Sequence, residues 1–525
     1  MPRKTTSLPL SLPAPGAGSS LYRWLYEQLR GAILEGRLQP GARLPATRDL
    51  AEAYGLSRTT IVAAFEQLRS EGYVEGRVGS GTYVSEVLPE DLLTVRGGHA
   101  DGRVGLGSEG WLPHRRIGLS RYARRLTPFR SAPEYPVRAF RTNQPALDLF
   151  PTTLWAQVAA SRLRRATTAM LGGGEALGYR PLREAVAEYL NTSRGVKCAV
   201  DQVLIVSGAQ EGFDRTARLL LNPGDEAWME EPGYAGAAVV LRAMGAKIRA
   251  VPVDEEGLNF EEAASAASSQ KRTRAGSQRA RESSRPKLVY VTPGHQFPLG
   301  MTMSLRRRLA LLEWARKSGV VIFEDDYDSE YRYSGRPVPA LQGLDRAGVV
   351  IFGGSFSAVM FPGLRLGYLV VPEEMVDIFA AAQAVSTHHP ALLGQAVLCD
   401  FIREGHFARH IRRMREVYAE RLGVLLKAAA KELGGAIEIS NVEAGLQTIG
   451  LLRGSYAAEK LVKEAAKKNV ELKPLSRYYS TEKPVNGIVL GFAAVEPREL
   501  RRGVEAVGGM LKKETTAHAS RQEHD

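Results

Sequence analysis

Ile351-Phe-Gly-Gly-Ser-Phe-Ser-Ala-Val-Met-Phe-Pro-Gly-Leu-Arg-Leu-Gly-Tyr368 and, upstream of it, Val320-Val-Ile-Phe-Glu-Asp-Asp-Tyr-Asp-Ser-Glu-Tyr331 organise this chain of 525 residues. An apolar run of strand length leads each stretch, Val349–Gly353 running into the first and Val320–Glu324 opening the second. Each run then delivers polar side chains: Asp325 and Tyr327 after one, Ser355, Ser357 and Arg365 after the other. Working outward, Gln202–Ser207, Glu226–Glu230, Lys247–Val251, Leu288–Thr292 and Gly367–Val371 are further strand candidates, alternating with helical stretches. That alternation predicts a parallel sheet with crossover helices over about 142–375. A long helix, Ala408–Glu432, and short strands at Gly445–Leu451 and Gly487–Phe492 predict a smaller α+β part over about 376–512. The polar tail, 513–525, reads as loose.

The hydrophobic fraction of 44% and the charged fraction of 24% are those of a globular protein, and the length suits two or three domains. The formal net charge of +13 suits a polyanionic partner such as DNA. Cys198 and Cys399 stand far apart and without metal-ligand spacing, which fits a reducing compartment and predicts no metal. No apolar run is long enough to span a bilayer. Residues 1–20, broken by Pro9, Pro13 and Pro15, read as a disordered leader. Residues 85–141 read as a basic linker, rich in Arg and Gly, with a short docked helix around Leu119–Leu126. Residues 265–286 hold no apolar side chain larger than alanine and read as a disordered insertion, with auxiliary contact to DNA phosphates as the functional alternative.

Near the N-terminus, Leu21, Leu25, Leu29, Ile33 and Leu34 share one helical face ahead of the Pro40-Gly41 break. Leu44-Pro-Ala-Thr-Arg-Asp-Leu-Ala-Glu-Ala-Tyr54 gives a second helix and Gly55-Leu-Ser57 a tight turn. Ser57 caps a third helix, Arg58 to Ser70, that buries Ile61, Phe65 and Leu68. Two short helices joined through a glycine turn make a helix-turn-helix. The second begins Ser57-Arg-Thr-Thr60, which sets short donors and an arginine at the end that enters a major groove. Tyr73-Val-Glu-Gly-Arg-Val-Gly-Ser-Gly-Thr-Tyr-Val84 then reads as two strands about a Gly79-Ser-Gly81 turn, a wing.

Over residues 21–84 this pattern resembles the winged helix of GntR regulators, through Leu44-Pro45, Arg48, Leu50-Ala51, Leu56-Ser-Arg-Thr-Thr60, Glu71-Gly72 and Gly79-Ser-Gly-Thr82. The resemblance implies a double-stranded DNA operator, held by Arg48, Ser57, Arg58, Thr59 and Thr60, with Arg77, Ser80 and Thr82 on the wing. Over about 142–512 the chain resembles the fold-type I, class I aminotransferase-like domain of the MocR subfamily. The carriers are Gly178-Tyr-Arg-Pro-Leu-Arg183, Val206-Ser-Gly-Ala-Gln-Glu-Gly212, Asn222-Pro-Gly-Asp225, Glu230-Glu-Pro-Gly-Tyr234 and Thr292-Pro-Gly-His-Gln-Phe-Pro-Leu-Gly300, together with the two stretches first quoted.

What this second resemblance implies is a site for pyridoxal 5'-phosphate (PLP). Backbone N–H groups of Gly208, Ala209 and Gln210 would cradle its phosphate, joined by Ser355, Ser357 and Arg365. Tyr234 would stack on the ring, Asp325 would pair with the ring nitrogen, and Tyr327 would bond the ring hydroxyl. Phe297 stands where aminotransferases carry an asparagine, and Arg477 is the candidate for an effector carboxylate. There are departures from the enzyme pattern. Ala358 stands where the Schiff-base lysine belongs, and a methyl group forms no imine; the nearest lysines are Lys317 and Lys427. Leu171-Gly-Gly-Gly-Glu-Ala-Leu177 lacks the tyrosine that enzymes lend to a partner's phosphate site. The expectation is a cytoplasmic, homodimeric transcription regulator with no catalytic residue, whose second domain binds PLP or a PLP–amine adduct non-covalently, or another small molecule. The alternatives are a ligand-free dimerisation scaffold and a working aminotransferase, the latter opposed by Ala358.

Overall fold

The computed structural model describes residues 12, 20–77, 80–88, 118–127, 136–265, 285–335, 338–454, 456–480 and 484–522, with side chains to 512 in the last stretch. The leader apart from residues 12 and 20, most of the linker and residues 266–284 of the insertion therefore lie outside the described residues, as does Gly79 of the wing turn. The chain divides into two compact units, residues 1–115 and 116–525.

In the first unit, helices Leu21–Leu34, Thr47–Tyr54 and Arg58–Ser70 pack around Leu25, Leu29, Ile33, Leu50, Ile61, Phe65 and Leu68. Leu21 and Leu34 depart from the expected apolar face: at the two ends of their helix they pass beyond the core and are 45% and 44% exposed. Gly55, at φ 64°, closes the second helix, and Ser57 caps the third by accepting the Thr60 N–H at 3.1 Å. Strands β1 (Val74–Arg77) and β2 (Gly81–Val84) pair antiparallel as the wing.

The second unit is built on an eight-stranded sheet: β3 (Val203–Val206), β4 (Glu226–Glu231), β5 (Lys247–Asp254), β6 (Gly257–Leu258), β7 (Pro286–Val291), β8 (Val321–Asp326), β9 (Val350–Ser355) and β10 (Gly367–Val370). Their order is β3-β10-β9-β8-β7-β4-β5-β6. Strands β5, β4, β7, β8 and β9 run parallel, as expected, but β10 is antiparallel to both β9 and β3. The reason lies in the connection. Between Ser355 and Gly367 there is room only for the single turn Phe356–Val359 and the 3₁₀ turn Pro362–Leu364, and a parallel crossover needs more chain. Alternate residues of β3 enter different layers, Val203 and Ile205 on one face and Leu204 and Val206 on the other, so both faces are covered.

A second sheet, β11 (Ile437–Ile439), β12 (Gln447–Leu452), β13 (Lys473–Pro474) and β14 (Gly487–Gly491), is antiparallel in the order β11-β12-β14-β13. Helices His406–Glu432 and Pro497–Gln522 accompany it. Ala139 and Phe140 are buried here and bridge to Val470 and Gly491, so this body begins before residue 142. The expected loose tail is helical as far as Gln522, as suits its Lys, Glu and Ala content. Within the linker, helix Arg121–Arg125 is docked as expected. Arg125 donates to the Met244 carbonyl at 3.4 Å, and Arg218 donates to the Tyr122 hydroxyl at 2.6 Å while lying over its ring. Among the described residues no helix is long and apolar enough to cross a membrane.

Candidate functional site

The C-terminal ends of β3, β7, β8 and β9 open on one cleft of about 250 Å³, where a parallel sheet ordinarily places its ligand. Its fifteen lining residues include Gly208, Ala209, Gln210, Tyr234, Phe297, Asp325, Tyr327, Ser355, Ser357, Ala358 and Arg365. The structure thus brings together every cofactor-contact candidate named from the sequence. The other four are Asn143, Tyr290, Thr292 and Pro362; none of the fifteen is a lysine.

One end of the cleft is an anion cradle. Gly208, at φ 120°, turns the chain from β3 into helix Ala209–Leu220, a conformation that side chains oppose. Its N–H and those of Ala209 and Gln210 carry no hydrogen bond to described residues, so the positive end of the helix faces the cleft. The Gln210 amide is turned aside, donating to the Gly236 carbonyl at 3.0 Å. Arg365 reaches the cradle from a left-handed backbone at φ 51°. Its guanidinium nitrogens stand 3.6–3.7 Å from where a Gly208 Cβ would be, with no hydrogen bond or ion pair among the described residues. The two serines have structural partners as well. Ser355 accepts the Ala358 N–H at 3.3 Å, and Ser357 accepts the Leu366 N–H at 3.1 Å.

The other end is aromatic around a buried carboxylate. Tyr290 donates to Asp325 Oδ2 at 2.5 Å, while Oδ1 is buried with no partner among the described residues. Burial pushes the Asp325 carboxyl up to about 7; the Tyr290 bond opposes the rise, and Asp326 and Asp328 add to it. The Tyr327 hydroxyl lies 3.1 Å from His295 Nδ1, which is also 2.9 Å from Asp328. Burial raises the Tyr327 phenol well above its ordinary value, so it stays a neutral donor. Phe297 packs edge-on against Tyr234, Tyr327 and Tyr478, forming an apolar wall. Beneath, Glu230 accepts from the Thr292 hydroxyl at 2.5 Å, and burial lifts it to about 7.

A phosphorylated aromatic ring with a protonated nitrogen fits this donor set. Among the described residues three N–H groups and one guanidinium have no partner and could hold an anion, and the unpartnered Asp325 oxygen could accept from a cationic N–H. Arg477 is not brought to the cleft: its side chain is exposed on the turn Leu475–Tyr478, although its neighbour Tyr478 touches Phe297.

On the first unit, Arg48, Ser57, Arg58 and Thr59 are exposed along the start of helices two and three. The Ser57 hydroxyl also lies 2.8 Å from that of Thr60, so these two hold the helix start. Arg48 and Arg58 have guanidinium groups without hydrogen bonds or ion pairs among the described residues. Arg77 instead bonds Glu75 at 2.7 Å and lies over Tyr83, while Ser80 and Thr82 stand on the wing. Sequence reasoning missed Arg43, whose guanidinium comes within 3.0 Å of where a Gly81 Cβ would be on the wing. Residues 21–84 carry eight arginines and seven carboxylates, so any grip on DNA rests on where the arginines stand rather than on net charge.

Comparison with known proteins matches each of the two regions to a family. Residues 21–84 match the pattern of bacterial regulatory proteins of the gntR family, and residues 139–507 match aminotransferase class I and II. A probable rhizopine catabolism regulatory protein, MocR, of Rhizobium meliloti is 40% identical over 93% of both chains. A pyridoxine biosynthesis transcriptional regulator, PdxR, of Corynebacterium glutamicum is 27% identical over 94% of this chain and 96% of its own. The crystal structure of a kynurenine aminotransferase of Pyrococcus horikoshii superposes with a TM-score of 0.65 at 26% identity, covering 71% of this chain and 90% of that one.

Proposed function

Since the chain belongs to the MocR-type GntR regulators, transcription regulators that join a GntR helix-turn-helix to an aminotransferase-like domain, we propose that it reads an operator through its winged helix and senses PLP, or a PLP–amine adduct, held without a covalent bond. The observation that carries this reading is the cleft itself. It keeps donors for a phosphate and an acceptor for a pyridinium, yet Ala358 lies where the resemblance places the covalent lysine, and no lysine lines it. When bound, PLP supplies an aldehyde that reacts reversibly with primary amines. The N–H groups at Gly208 and the Arg365 fork would hold the phosphate, Asp325 would accept from the ring nitrogen, Tyr327 would donate to the ring oxygen, and Tyr234 would pack against the ring. The methyl group of Ala358 can neither bond the aldehyde nor move a proton, so the domain recognises without turnover.

A route from cleft to linker supports regulation. Helices Ala209–Leu220 and Ala235–Met244 both begin at the cleft, one after Gly208 and the other after Tyr234. Their far ends carry Arg218 and Met244, where helix Arg121–Arg125 is docked. A ligand that shifts either helix start therefore acts on the segment that leads back toward the winged helix. Apolar side chains left exposed on helices of this domain, among them Leu171 at 71% and Val385 at 90%, are surface that a second copy would cover, as a homodimer requires. A regulator of this kind works in the cytoplasm, beside its DNA.

Equilibrium dialysis with PLP, followed by borohydride treatment, tests the reading. Saturable binding that is lost in Arg365→Ala, with nothing fixed to the chain by borohydride, is expected. No binding would turn the domain into a scaffold; covalent fixation would return it to the enzymes.

A further inference from the structure

A second cleft, of about 170 Å³, lies on the opposite side of the β8 end. Asp325 and Asp326 are successive strand residues and leave on opposite faces. The first lines the cofactor-type cleft, and the second bonds Arg194 at 2.6 Å beside this one. The twelve residues lining the second cleft include Arg194, Arg308, Arg332 and Arg415, several hydroxyls and no carboxylate.

The four guanidinium groups are held in place, and two are held without an acid. Arg194 has Asp326, and Arg332 has Glu443 at 2.7 Å, with the Thr302 hydroxyl also at 2.7 Å. Arg308 instead donates to three backbone carbonyls, those of Met303, Pro339 and Pro293, at 3.0, 2.9 and 2.5 Å. Arg415 donates to the Glu330 carbonyl at 2.5 Å. Arg308 is only 1% exposed, and buried charges are ordinarily paired. Burial pulls it below its ordinary value although Glu324 and Asp326 act the other way, so those neighbours do not offset the desolvation. Carbonyls fix the guanidinium planes but leave further N–H groups free, which makes a preorganised fork with uncompensated positive charge.

We propose that this cleft binds a small oxyanion, a phosphate ester or a carboxylate, on Arg308, Arg332 and Arg415. The site does not depend on the cofactor-type cleft being occupied, but the two share a wall. Thr292 lines the first and Gly294 the second, on one loop after β7. An anion here would therefore bear on the strand ends that shape the first cleft.

The test uses the full chain in a chloride buffer free of other oxyanions, with Arg365→Ala in place so that the first cleft's own guanidinium takes no phosphate. Calorimetric titration with inorganic phosphate should then show one saturable site per chain. Arg415 is exposed and bonded to a single carbonyl, so Arg415→Gln carries little risk to folding. Added to Arg365→Ala, it should weaken phosphate binding by about tenfold or more, as should Arg332→Gln, with Arg332→Lys falling between. Succinate that competes for the site would assign carboxylates as its class, and succinate that does not would assign phosphate esters. Absence of saturable phosphate binding in Arg365→Ala, or binding that neither glutamine variant changes, would overturn the proposal.

Discussion

Replacing Asp325 by asparagine should stabilise the ligand-free protein more in alkaline than in acid solution. Burial raises this carboxyl from the ordinary 3.8 to about 7. The folded state therefore holds the proton more tightly than the unfolded one. The contribution to stability is fully present below the unfolded value, shrinks as pH rises through the window between the two, and is gone above about 7. A shift of about 3 units corresponds to roughly 4 kcal/mol once the window is passed. At about pH 5.5 roughly half of that loss has developed, so moving to about pH 8.5 adds about 2 kcal/mol. Asparagine does not titrate. It can still accept the Tyr290 hydroxyl, but it puts an amide where Oδ1 now lacks a partner, at a cost of about 1–3 kcal/mol that is the same at both pH values. Glu324 and Glu330, each also raised to about 7 by burial, remain in both proteins and cancel; Glu230, raised likewise, also feels the Asp325 charge, and losing that repulsion adds to the variant's advantage in the same direction. Urea midpoints at the two pH values, read by fluorescence of the stacked Trp228–Trp314 pair, give the comparison directly. The variant's advantage should grow by about 2 kcal/mol toward alkaline pH. An advantage that does not change with pH would show that Asp325 is not desolvated in the folded protein, and the argument for a waiting pyridinium would lose its base.

Other outcomes can be read from single variants. Arg58→Ala should weaken binding to a selected operator by about 1–3 kcal/mol if the side chain reads a base edge; an unchanged affinity removes it from the interface. Ala358→Lys, saturated with PLP, should be fixed to the cofactor by borohydride where the native chain is not. A folded variant that stays unlabelled would mean that the cleft has drifted from cofactor geometry. Tyr122→Ala removes the ring and hydroxyl that hold Arg218, so it should leave PLP affinity intact while reducing any ligand effect on operator binding. An undiminished ligand effect would exclude this route.

Most of the seven main strands were legible as apolar runs bounded by turn residues, with Lys247–Val251 a more polar alternation, and the order of polar residues after those runs named the cleft. The direction of β10 was not legible from its own composition, since it follows from the length of the connection that precedes it. Tyr290 was hidden for a related reason. It sits inside the apolar run Leu288–Thr292 and reads as core, and its hydroxyl meets Asp325 only because β7 and β8 pair in parallel, Tyr290 opposite Phe323. Asn143 reaches the cleft from the far N-terminal edge of the domain, at φ 55°, through tertiary approach alone. Gly487–Phe492 carries no arginine, so Arg477 stood as the candidate for the effector carboxylate, and nothing in the sequence told that its turn leaves it exposed. In the second cleft, Arg194, Arg308, Arg332 and Arg415 come from separate helices and loops, so no spacing in the sequence joins them.

In the proposed function two sites of one chain are coupled: a winged helix that reads DNA and a cofactor-type cleft that senses without catalysing. Operator affinity of the full chain, measured with and without saturating PLP at fixed salt, tests it most directly. Affinity should shift in a way that saturates with PLP and disappears in Arg365→Ala. Equal affinity in both conditions, for a chain shown to hold PLP, would contradict it.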